Sequence, residues 1–134
     1  MTEPVRVLVA DDQDMVRVGL ATILDAEPSI EGVGQARDGL EAVERVRSLR
    51  PDVCLFDIRM PGLDGIQATR ILAGPDIQDP MAVVIITTFD LDEYVFDALR
   101  AGAKGFLLKD AGSELLAQAI RAAAFGTEAD SYDV

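Results

Sequence analysis

The stretch Val53-Cys54-Leu55-Phe56-Asp57-Ile58-Arg59-Met60-Pro61-Gly62 decides how the sequence on either side of it is interpreted. Its four leading apolar residues end at one carboxylate, Asp57, and a proline-glycine turn follows. A run that is this short and this apolar is typical of a strand buried on both faces of a parallel sheet. Asp57 is therefore expected at a strand end, where a helix cap, a loop residue and a reactive group are all open possibilities.

Composition narrows the class of protein. The chain has 134 residues, of which 49% are hydrophobic, and this favours one folded domain with a proper core. Its formal net charge of -12 argues against a chain that itself grips nucleic acid, because phosphate binding needs a basic surface. The sequence has no histidine, which removes imidazole-based catalysis and most zinc and haem sites. The single cysteine, Cys54, is expected in the core. Neither a signal peptide nor a membrane-spanning apolar segment is found, so the sequence predicts a cytoplasmic protein.

Strand-like and helix-like segments alternate along the chain. The predicted strands are residues 5–10, 30–36, 53–56, 82–86 and 105–108. The predicted helices cover roughly 14–26, the segment from Asp38 to Pro51, a short segment from Asp64, the segment from Asp90 to Gly102, and a last helix to about residue 125. Helical spacing of apolar residues assigns the inward faces to Val16, Leu20, Ile23, Leu24, Leu40, Val43, Val46, Leu49, Ile66, Ile71, Leu72, Val95, Ala98, Leu99, Leu115, Leu116, Ala119, Ile120 and Ala123.

This alternation predicts one parallel sheet with helices on both faces and right-handed crossovers. The weaker and more polar strand 30–36 suits an edge of the sheet. The simplest arrangement is an α/β fold, a flavodoxin-like doubly wound (βα)5 sheet with strand order 2-1-3-4-5. Residues 1–125 form this domain in the prediction, and the polar segment 126–134 is a tail or the start of a linker.

Polar residues stand at the ends of four predicted strands. Asp11 and Asp12 follow the first strand, Asp57 follows the third, Thr87 ends the fourth and Lys109 follows the fifth. In a doubly wound sheet, ligands bind outside the carboxyl ends of the strands, at the point where the strand order reverses. We therefore expect these five side chains to share one crevice.

The residue types in this crevice suit phosphoryl transfer. Crowded carboxylates recruit a cation, and hard oxygen ligands without histidine or thiolate select Mg²⁺. A metal-bound carboxylate stays ionised and can act as a nucleophile. A lysine ammonium and a threonine hydroxyl can hold phosphoryl oxygens in place. The set therefore predicts a site that places a phosphoryl group on Asp57.

Each of these residue types also has an ordinary structural role. An aspartate after a strand is often a cap or a turn residue, as we predict for Asp14, Asp64 and Asp90. A lysine at a strand end is usually solvated, and a threonine there usually reflects strand propensity. The combination of all five residues at the ligand-binding edge nevertheless favours the functional interpretation.

The sequence resembles the receiver domains of bacterial response regulators, which act in two-component signalling. The resemblance runs from Val5 to about Phe125. The motifs that carry it are Val9-Ala10-Asp11-Asp12, Asp57-Ile58-Arg59-Met60-Pro61-Gly62-Leu63-Asp64-Gly65, Ile86-Thr87-Thr88-Phe89 and Gly105-Phe106-Leu107-Leu108-Lys109-Asp110. The last two motifs, together with Ala101-Gly102-Ala103-Lys104, are similar to the NarL/FixJ subfamily, whose members usually carry a LuxR-type helix-turn-helix after the receiver.

The resemblance implies roles for the three acids. Asp57 corresponds to the phosphoacceptor, which takes a phosphoryl group from a sensor histidine kinase. Asp12, Asp57 and the main-chain carbonyl of Arg59 correspond to the ligands of Mg²⁺, and Asp11 assists them.

The resemblance also implies a switch. Thr87 and Lys109 correspond to the residues that contact the phosphoryl oxygens, and Phe106 corresponds to an aromatic residue whose rotamer follows the Thr87 hydroxyl. Many receivers have a proline after the lysine, and Asp110 takes its place here, so a cis peptide bond is less assured because cis bonds before other residues are costly.

The same resemblance implies the partners. Phosphorylation is expected to reshape the face formed by the fourth helix, the fifth strand and the fifth helix, and to favour a homodimer. These 134 residues contain no helix-turn-helix, so DNA binding and control of transcription are expected only through an output domain outside this chain. The chain is expected to assist its own phosphorylation and dephosphorylation without being a multiple-turnover enzyme.

Three alternatives are less well supported by the residues. A haloacid-dehalogenase-like phosphatase needs a second acid two residues after the nucleophile, where this chain has Arg59. A degenerate receiver that works without phosphorylation typically lacks an acid or the lysine, and all of them are present here. A flavin-binding flavodoxin needs a loop that cradles phosphate after the first strand, where Asp11 and Asp12 would repel it.

Overall fold

The computed structural model of the chain describes residues 3–88 and 92–125, without the side chains of residues 92 and 93. Five parallel strands form one sheet in the order β2-β1-β3-β4-β5, which confirms the predicted fold class. The strands are β1 (Val5–Ala10), β2 (Ile30–Ala36), β3 (Val53–Phe56), β4 (Ala82–Thr87) and β5 (Gly105–Leu108). The helices are α1 (Asp14–Asp25), α2 (Gly39–Leu49), α3 (Gly65–Ala73), α4 (Asp92–Ala101) and α5 (Ser113–Ala124).

The central strand β3 is covered on both faces. Its four residues are fully buried, as expected for an apolar run between two layers of helices. One face of the sheet packs against α1 and α5, and the other packs against α2, α3 and α4. Cys54 lies in this strand, and burial raises the pKa of its thiol to about 12. Asp57 therefore follows directly after a fully buried strand.

Several residues predicted to face the core are exposed instead. Each helix does contact the sheet, but through a narrower stripe than the apolar pattern indicates. Consecutive helix residues point about 100° apart, so a helix that contacts the sheet along a narrow stripe leaves part of a wider apolar pattern exposed. Leu24, Leu72, Ala98 and Leu116 take the buried positions. The predictions that were wrong concern Ile23, Leu40, Ile71, Leu99 and Leu115.

Side chains at the helix ends explain where the helices begin and stop. The carboxylate of Asp38 accepts a hydrogen bond from the Glu41 amide and caps α2, the helix predicted to begin there, and Asp64 forms a reciprocal capping box with Gln67, so the predicted cap at Asp64 is confirmed. Gly102 ends α4 with a φ of 111°, a conformation that favours glycine.

Asp14 is not a cap. The N-cap position of α1 is Gln13, which makes no side-chain capping bond, and Asp14 lies in the first turn. There its carboxylate pairs with Arg17, one turn further along the helix. The predicted cap at Asp90 and the predicted tail 126–134 lie outside the described residues. No helix in the described part of the chain is long and apolar enough to span a bilayer.

Candidate functional site

Three carboxylates converge at the carboxyl ends of β1 and β3. The two strands are neighbours with Ala10 beside Phe56, and the Asp57 amide donates a hydrogen bond to the Ala10 carbonyl at 2.9 Å. This alignment brings one carboxylate oxygen each from Asp11, Asp12 and Asp57 within 4.8 Å of one another. Asp11 and Asp57 are buried, whereas Asp12 is exposed to solvent.

Main-chain amides orient the two buried carboxylates. The Gln13 amide donates to Oδ1 of Asp11, and the Ile58 amide donates to Oδ1 of Asp57, both at 2.9 Å. The second oxygen of each carboxylate therefore points towards the same place. Lys109 lies there, with its Nζ 2.8 Å from Asp11 Oδ2 and 3.4 Å from Asp57 Oδ2.

The fifth strand delivers the lysine to this position. The Lys109 amide donates to the Thr87 carbonyl at 2.8 Å, which keeps the end of β5 beside the end of β4. Asp11 Oδ2 is fully buried and accepts no hydrogen bond of ordinary geometry from the described residues, so the ion pair with Lys109 is its main stabilising contact.

The electrostatic balance at the site leaves excess negative charge. The pKa of Asp57 is raised from 3.8 to about 6, first by burial and second by the negative charge of Asp11. The Lys109 ammonium and the Ile58 amide act in the opposite direction without cancelling the rise. A bound cation would relieve this excess charge and keep Asp57 ionised.

Thr87 completes a crevice above Asp57. The crevice has a volume of about 330 Å³, and it is lined by Asp12, Gln13, Asp57, Arg59, Thr87, Thr88 and Lys109. Thr87 is buried, and Phe106 pairs in the sheet with Ile85, two residues before Thr87. Because side chains alternate between the faces of a strand, Phe106 and Thr87 lie on the same face of the sheet. Phe106 is partly buried there against the core on the side of α2, α3 and α4.

The structure thus brings together the residues predicted for the site. Asp11, Asp12, Asp57, Thr87 and Lys109 meet at one edge of the sheet. The Lys109–Asp110 peptide bond is trans, as are the other peptide bonds in the described residues.

Tyr94 and Arg17 also border the site, although the sequence did not predict them there. Tyr94, in the first turns of α4, accepts a hydrogen bond from Nη2 of Arg59 at 3.4 Å. Arg17 is buried on α1 and contacts the loop that carries Asp11. Its position is three residues before Leu20 on the buried stripe of the helix, and three after Asp14. An arginine on such a stripe with an acid one turn earlier is the signal that could have found it.

A glycine brings α3 directly against the backbone of Asp57. The Gly65 amide donates to the Ile58 carbonyl at 2.8 Å, and a Cβ at residue 65 would lie only 2.0 Å from the Asp57 carbonyl oxygen. This close approach requires glycine at the start of the helix.

Comparison with known proteins places this arrangement in a family. The family model of the response regulator receiver domain matches residues 7–121, most of the chain. The chain belongs to the response regulator receiver domain family.

Individual receiver domains support this assignment. The chain is 44% identical to the transcriptional regulatory protein LiaR of Bacillus subtilis over 91% of its own length, and 43% identical to the response regulator GacA of Pseudomonas viridiflava over 87%. It covers only 57% and 54% of these relatives. Among solved structures, the signal receiver domain of NarL from Mycobacterium tuberculosis is 38% identical with a TM-score of 0.87, covering 93% of this chain and 99% of that one.

The predicted resemblance to receivers of the NarL and LuxR type is therefore confirmed. A LuxR-family response regulator from Aurantimonas is a further structural relative, with a TM-score of 0.84, 30% identity, and coverage of 92% of this chain and 87% of that one. Receiver domains form a signalling family rather than an enzyme family, which argues against the phosphatase alternative. The chain is the receiver domain of a two-component response regulator, and its relatives include transcriptional regulators.

Proposed function

We propose that this receiver accepts a phosphoryl group on Asp57 from the phosphohistidine of a sensor kinase. The observation that carries the proposal is the shared ammonium: Lys109 contacts Oδ2 of both Asp11 and Asp57 at the floor of a crevice beside Thr87. In the proposed reaction, an Asp57 carboxylate oxygen forms a bond to phosphorus while the bond between phosphorus and the histidine nitrogen breaks. The product is an acyl phosphate on Asp57.

The acidic cluster fits Mg²⁺. Its donors are all oxygens, three carboxylates lie within 4.8 Å, and Asp57 carries a pKa raised by burial and by Asp11. Asp12, Asp57 and the main-chain carbonyl of Arg59 would hold the ion, with Asp11 behind them. When bound, Mg²⁺ supplies positive charge that offsets the charge on the phosphoryl oxygens.

The residues around Asp57 have separate tasks in this proposal. Lys109 exchanges its contact with the Asp57 carboxylate for a contact with a phosphoryl oxygen, while its shorter pair with Asp11 holds it in place. The Thr87 hydroxyl donates to another phosphoryl oxygen, and the movement of Thr87 frees space on the face where Phe106 packs. Arg59, at the mouth of the crevice, influences the access of water to the phosphoryl group.

The output of the switch is a changed surface. Movement of Thr87 and Phe106 alters the face formed by α4, β5 and α5, and this face then binds a second copy of the receiver. Relatives such as LiaR are transcriptional regulators and are nearly twice as long as the part this chain covers. In this proposal, DNA is bound by an output domain of the whole protein, which acts in the cytoplasm, and the receiver itself does not turn over substrates.

Phosphorylation with a small donor tests the proposal. The purified receiver is incubated with acetyl phosphate and Mg²⁺, and the intact mass is recorded over time. We expect the wild type and Asp76→Asn, a surface aspartate matched in chemistry, to gain one phosphate, while Asp57→Asn gains none. Removal of Mg²⁺ with EDTA should abolish the gain. A wild type that stays unmodified would support a module that works without phosphorylation, and rapid turnover of unrelated phosphoesters would support a phosphatase.

A further inference from the structure

A buried arginine lies beneath the loop that carries two of the three acids. Arg17 is 9% exposed and shares a stripe of α1 with the buried residues Leu20 and Leu24. A charged side chain is rarely buried to this extent unless it is paired. An apolar residue of similar size would also fill this stripe, but it could make none of the polar contacts of the guanidinium, whose ionic partner Asp14 is largely exposed. What the arginine adds to the stripe is therefore its set of polar contacts.

The guanidinium connects three segments of the chain at the site. Its Nη1 donates to the main-chain carbonyl of Asp11 at 2.9 Å, its Nη2 donates to Asp14 Oδ1 at 2.6 Å, and its Nε donates to Gln35 Oε1 at 3.1 Å. These acceptors belong to the end of β1, the first turn of α1 and the end of β2. Because Asp14 pairs with the guanidinium, Arg17 adds little net positive charge beside the acids.

The carbonyl that Arg17 holds belongs to the peptide between the two adjacent acids. Fixing this carbonyl fixes the plane of the Asp11–Asp12 peptide, and this plane restrains the directions in which the Cα–Cβ bonds of both acids leave the backbone. Asp11 has a second anchor, the Gln13 amide on its Oδ1. Within the described residues no hydrogen bond holds the carboxylate of Asp12, so its direction depends on the backbone that Arg17 fixes.

We infer that Arg17 is a positioning residue of the cation site, which directs Asp11 and Asp12 towards Asp57 by holding the Asp11 carbonyl. The inference rests on the proposed function, because it concerns the Mg²⁺ of that same site. Residues that orient the ligands of a metal typically change its affinity by about 10-fold to 100-fold when they are removed. Arg17 touches neither Asp57 nor the crevice above it, so its contribution should appear in cation binding and not in the transfer itself.

Arg17→Met tests this inference. The substitution keeps an unbranched apolar side chain in the stripe and removes all three hydrogen bonds. We expect the dissociation constant for Mg²⁺, measured by calorimetry on the unphosphorylated protein, to rise about 10-fold. The rate of phosphorylation by acetyl phosphate at saturating Mg²⁺ should stay within about two-fold of the wild type, because Asp57, Thr87 and Lys109 are unchanged.

Arg6→Met is a matched control on the first strand. Arg6 also donates from two nitrogens to main-chain carbonyls, those of Arg50 at 2.9 Å and Leu49 at 3.0 Å, but it lies at the opposite end of β1 from the acids. This variant loses comparable hydrogen bonds, so it reports the general effect of destabilisation. We expect a lower melting temperature with an unchanged affinity for Mg²⁺.

Two further variants keep the test decisive if Arg17→Met folds poorly. Arg17→Lys retains the charge, but one ammonium cannot span three acceptors in a fixed fork, so Mg²⁺ binding should remain weak. Gln35→Met removes only the acceptor of Nε and should weaken Mg²⁺ binding in the same direction by less.

The outcomes separate this inference from the proposed function. Wild-type affinity in Arg17→Met, full rescue by Arg17→Lys, or an equal loss of affinity in Arg6→Met would each overturn the positioning role while leaving the proposed function standing. A wild-type receiver that binds no Mg²⁺ would overturn the proposed function, and the positioning role with it.

Discussion

The ammonium of Lys109 pairs with two buried carboxylates at unequal distances. Lys109 lies 2.8 Å from Asp11 Oδ2 and 3.4 Å from Asp57 Oδ2. The closer pair, with Asp11, stabilises the folded chain. The longer contact, with Asp57, only partly offsets the cost of burying the Asp57 charge. A reactive carboxylate benefits from this arrangement, because it stays poised near its partners without being locked in a tight ion pair.

Asp57→Asn should stabilise the receiver in the absence of Mg²⁺. Because the pKa of Asp57 is about 6 in the folded chain against an ordinary value of 3.8, the folded state binds more protons between about pH 4 and 6. Stability from this group therefore falls as the pH rises through that window, and the loss is complete above it. We expect Asp57→Asn to raise the free energy of unfolding at pH 7.5 by roughly 1–2 kcal/mol, measured by urea denaturation.

The pH dependence gives the check on this prediction. The advantage of Asp57→Asn should shrink towards zero at about pH 4 and below, where protonation of the wild-type carboxyl removes its buried charge. A variant that is less stable than the wild type at pH 7.5 would contradict the prediction.

Lys109→Met should strongly destabilise the receiver. It leaves Asp11 Oδ2 buried without its cationic partner, and breaking a buried ion pair in this way costs about 3 kcal/mol or more. The exposed Lys104→Met is the matched control and should change stability by less than about 0.5 kcal/mol. Urea denaturation of both variants measures the difference, and equal losses would refute the structural role assigned to Lys109.

At the scale of elements, the first residue of α3 packs directly against the backbone of Asp57, the proposed phosphoacceptor. Gly65 allows the helix to approach the Asp57 carbonyl, and the capping box of Asp64 and Gln67 fixes where that helix begins. The position of Asp57 thus depends on the packing of a helix as well as on the end of β3.

Gly65→Ala should destabilise the receiver by at least about 2 kcal/mol, because the added methyl group collides with backbone that cannot move freely. Gly19→Ala is a control with the opposite sign. Residue 19 lies inside α1 with no atom within 4 Å of an added Cβ, so alanine there should stabilise the chain by roughly 0.5–1 kcal/mol. Thermal or urea denaturation checks both, and a neutral Gly65→Ala would show that α3 can shift.

The helices and strands were predictable because the sequence contains clear signals for where they begin and end. Pro51 and Gly102 mark helix ends, and the apolar runs before Asp57 and Thr87 mark buried strands. The rotation of each helix was not predictable from apolar spacing. Leu115 and Leu116 are equally apolar neighbours, and only contact with the sheet decides that Leu116 is buried.

The members of the candidate site were predictable for a similar reason. Parallel strands end at one edge of the sheet, so residues such as Asp57 and Lys109 were expected on the same side of the molecule. The contact of Arg17 with the Asp11 carbonyl was not predictable, because a backbone carbonyl is an acceptor that every residue possesses. The unequal sharing of Lys109 was equally hidden, since it depends on differences of less than an ångström.

At the scale of the whole molecule, the net charge of -12 makes the receiver sensitive to cations in general. Specific binding must therefore be separated from screening. We expect Mg²⁺ at ten times its dissociation constant to stabilise the wild type by about 1.4 kcal/mol beyond NaCl of matched ionic strength. Asp12→Asn should lose most of this difference and keep the response to NaCl. Equal effects of the two salts on the wild-type melting temperature would argue against a specific site.

The reactivity of the Cys54 thiol reports how readily the central strand β3 opens. It is fully buried three residues before Asp57, and burial raises its pKa to about 12, so a thiol reagent cannot react while β3 stays in the sheet. Labelling of the native receiver therefore proceeds only as fast as the strand opens. Since this is the chain's single cysteine, the intact mass gives the fraction of molecules in which the strand has opened and the thiol has reacted, and a ligand that stabilises the fold should slow the growth of that fraction.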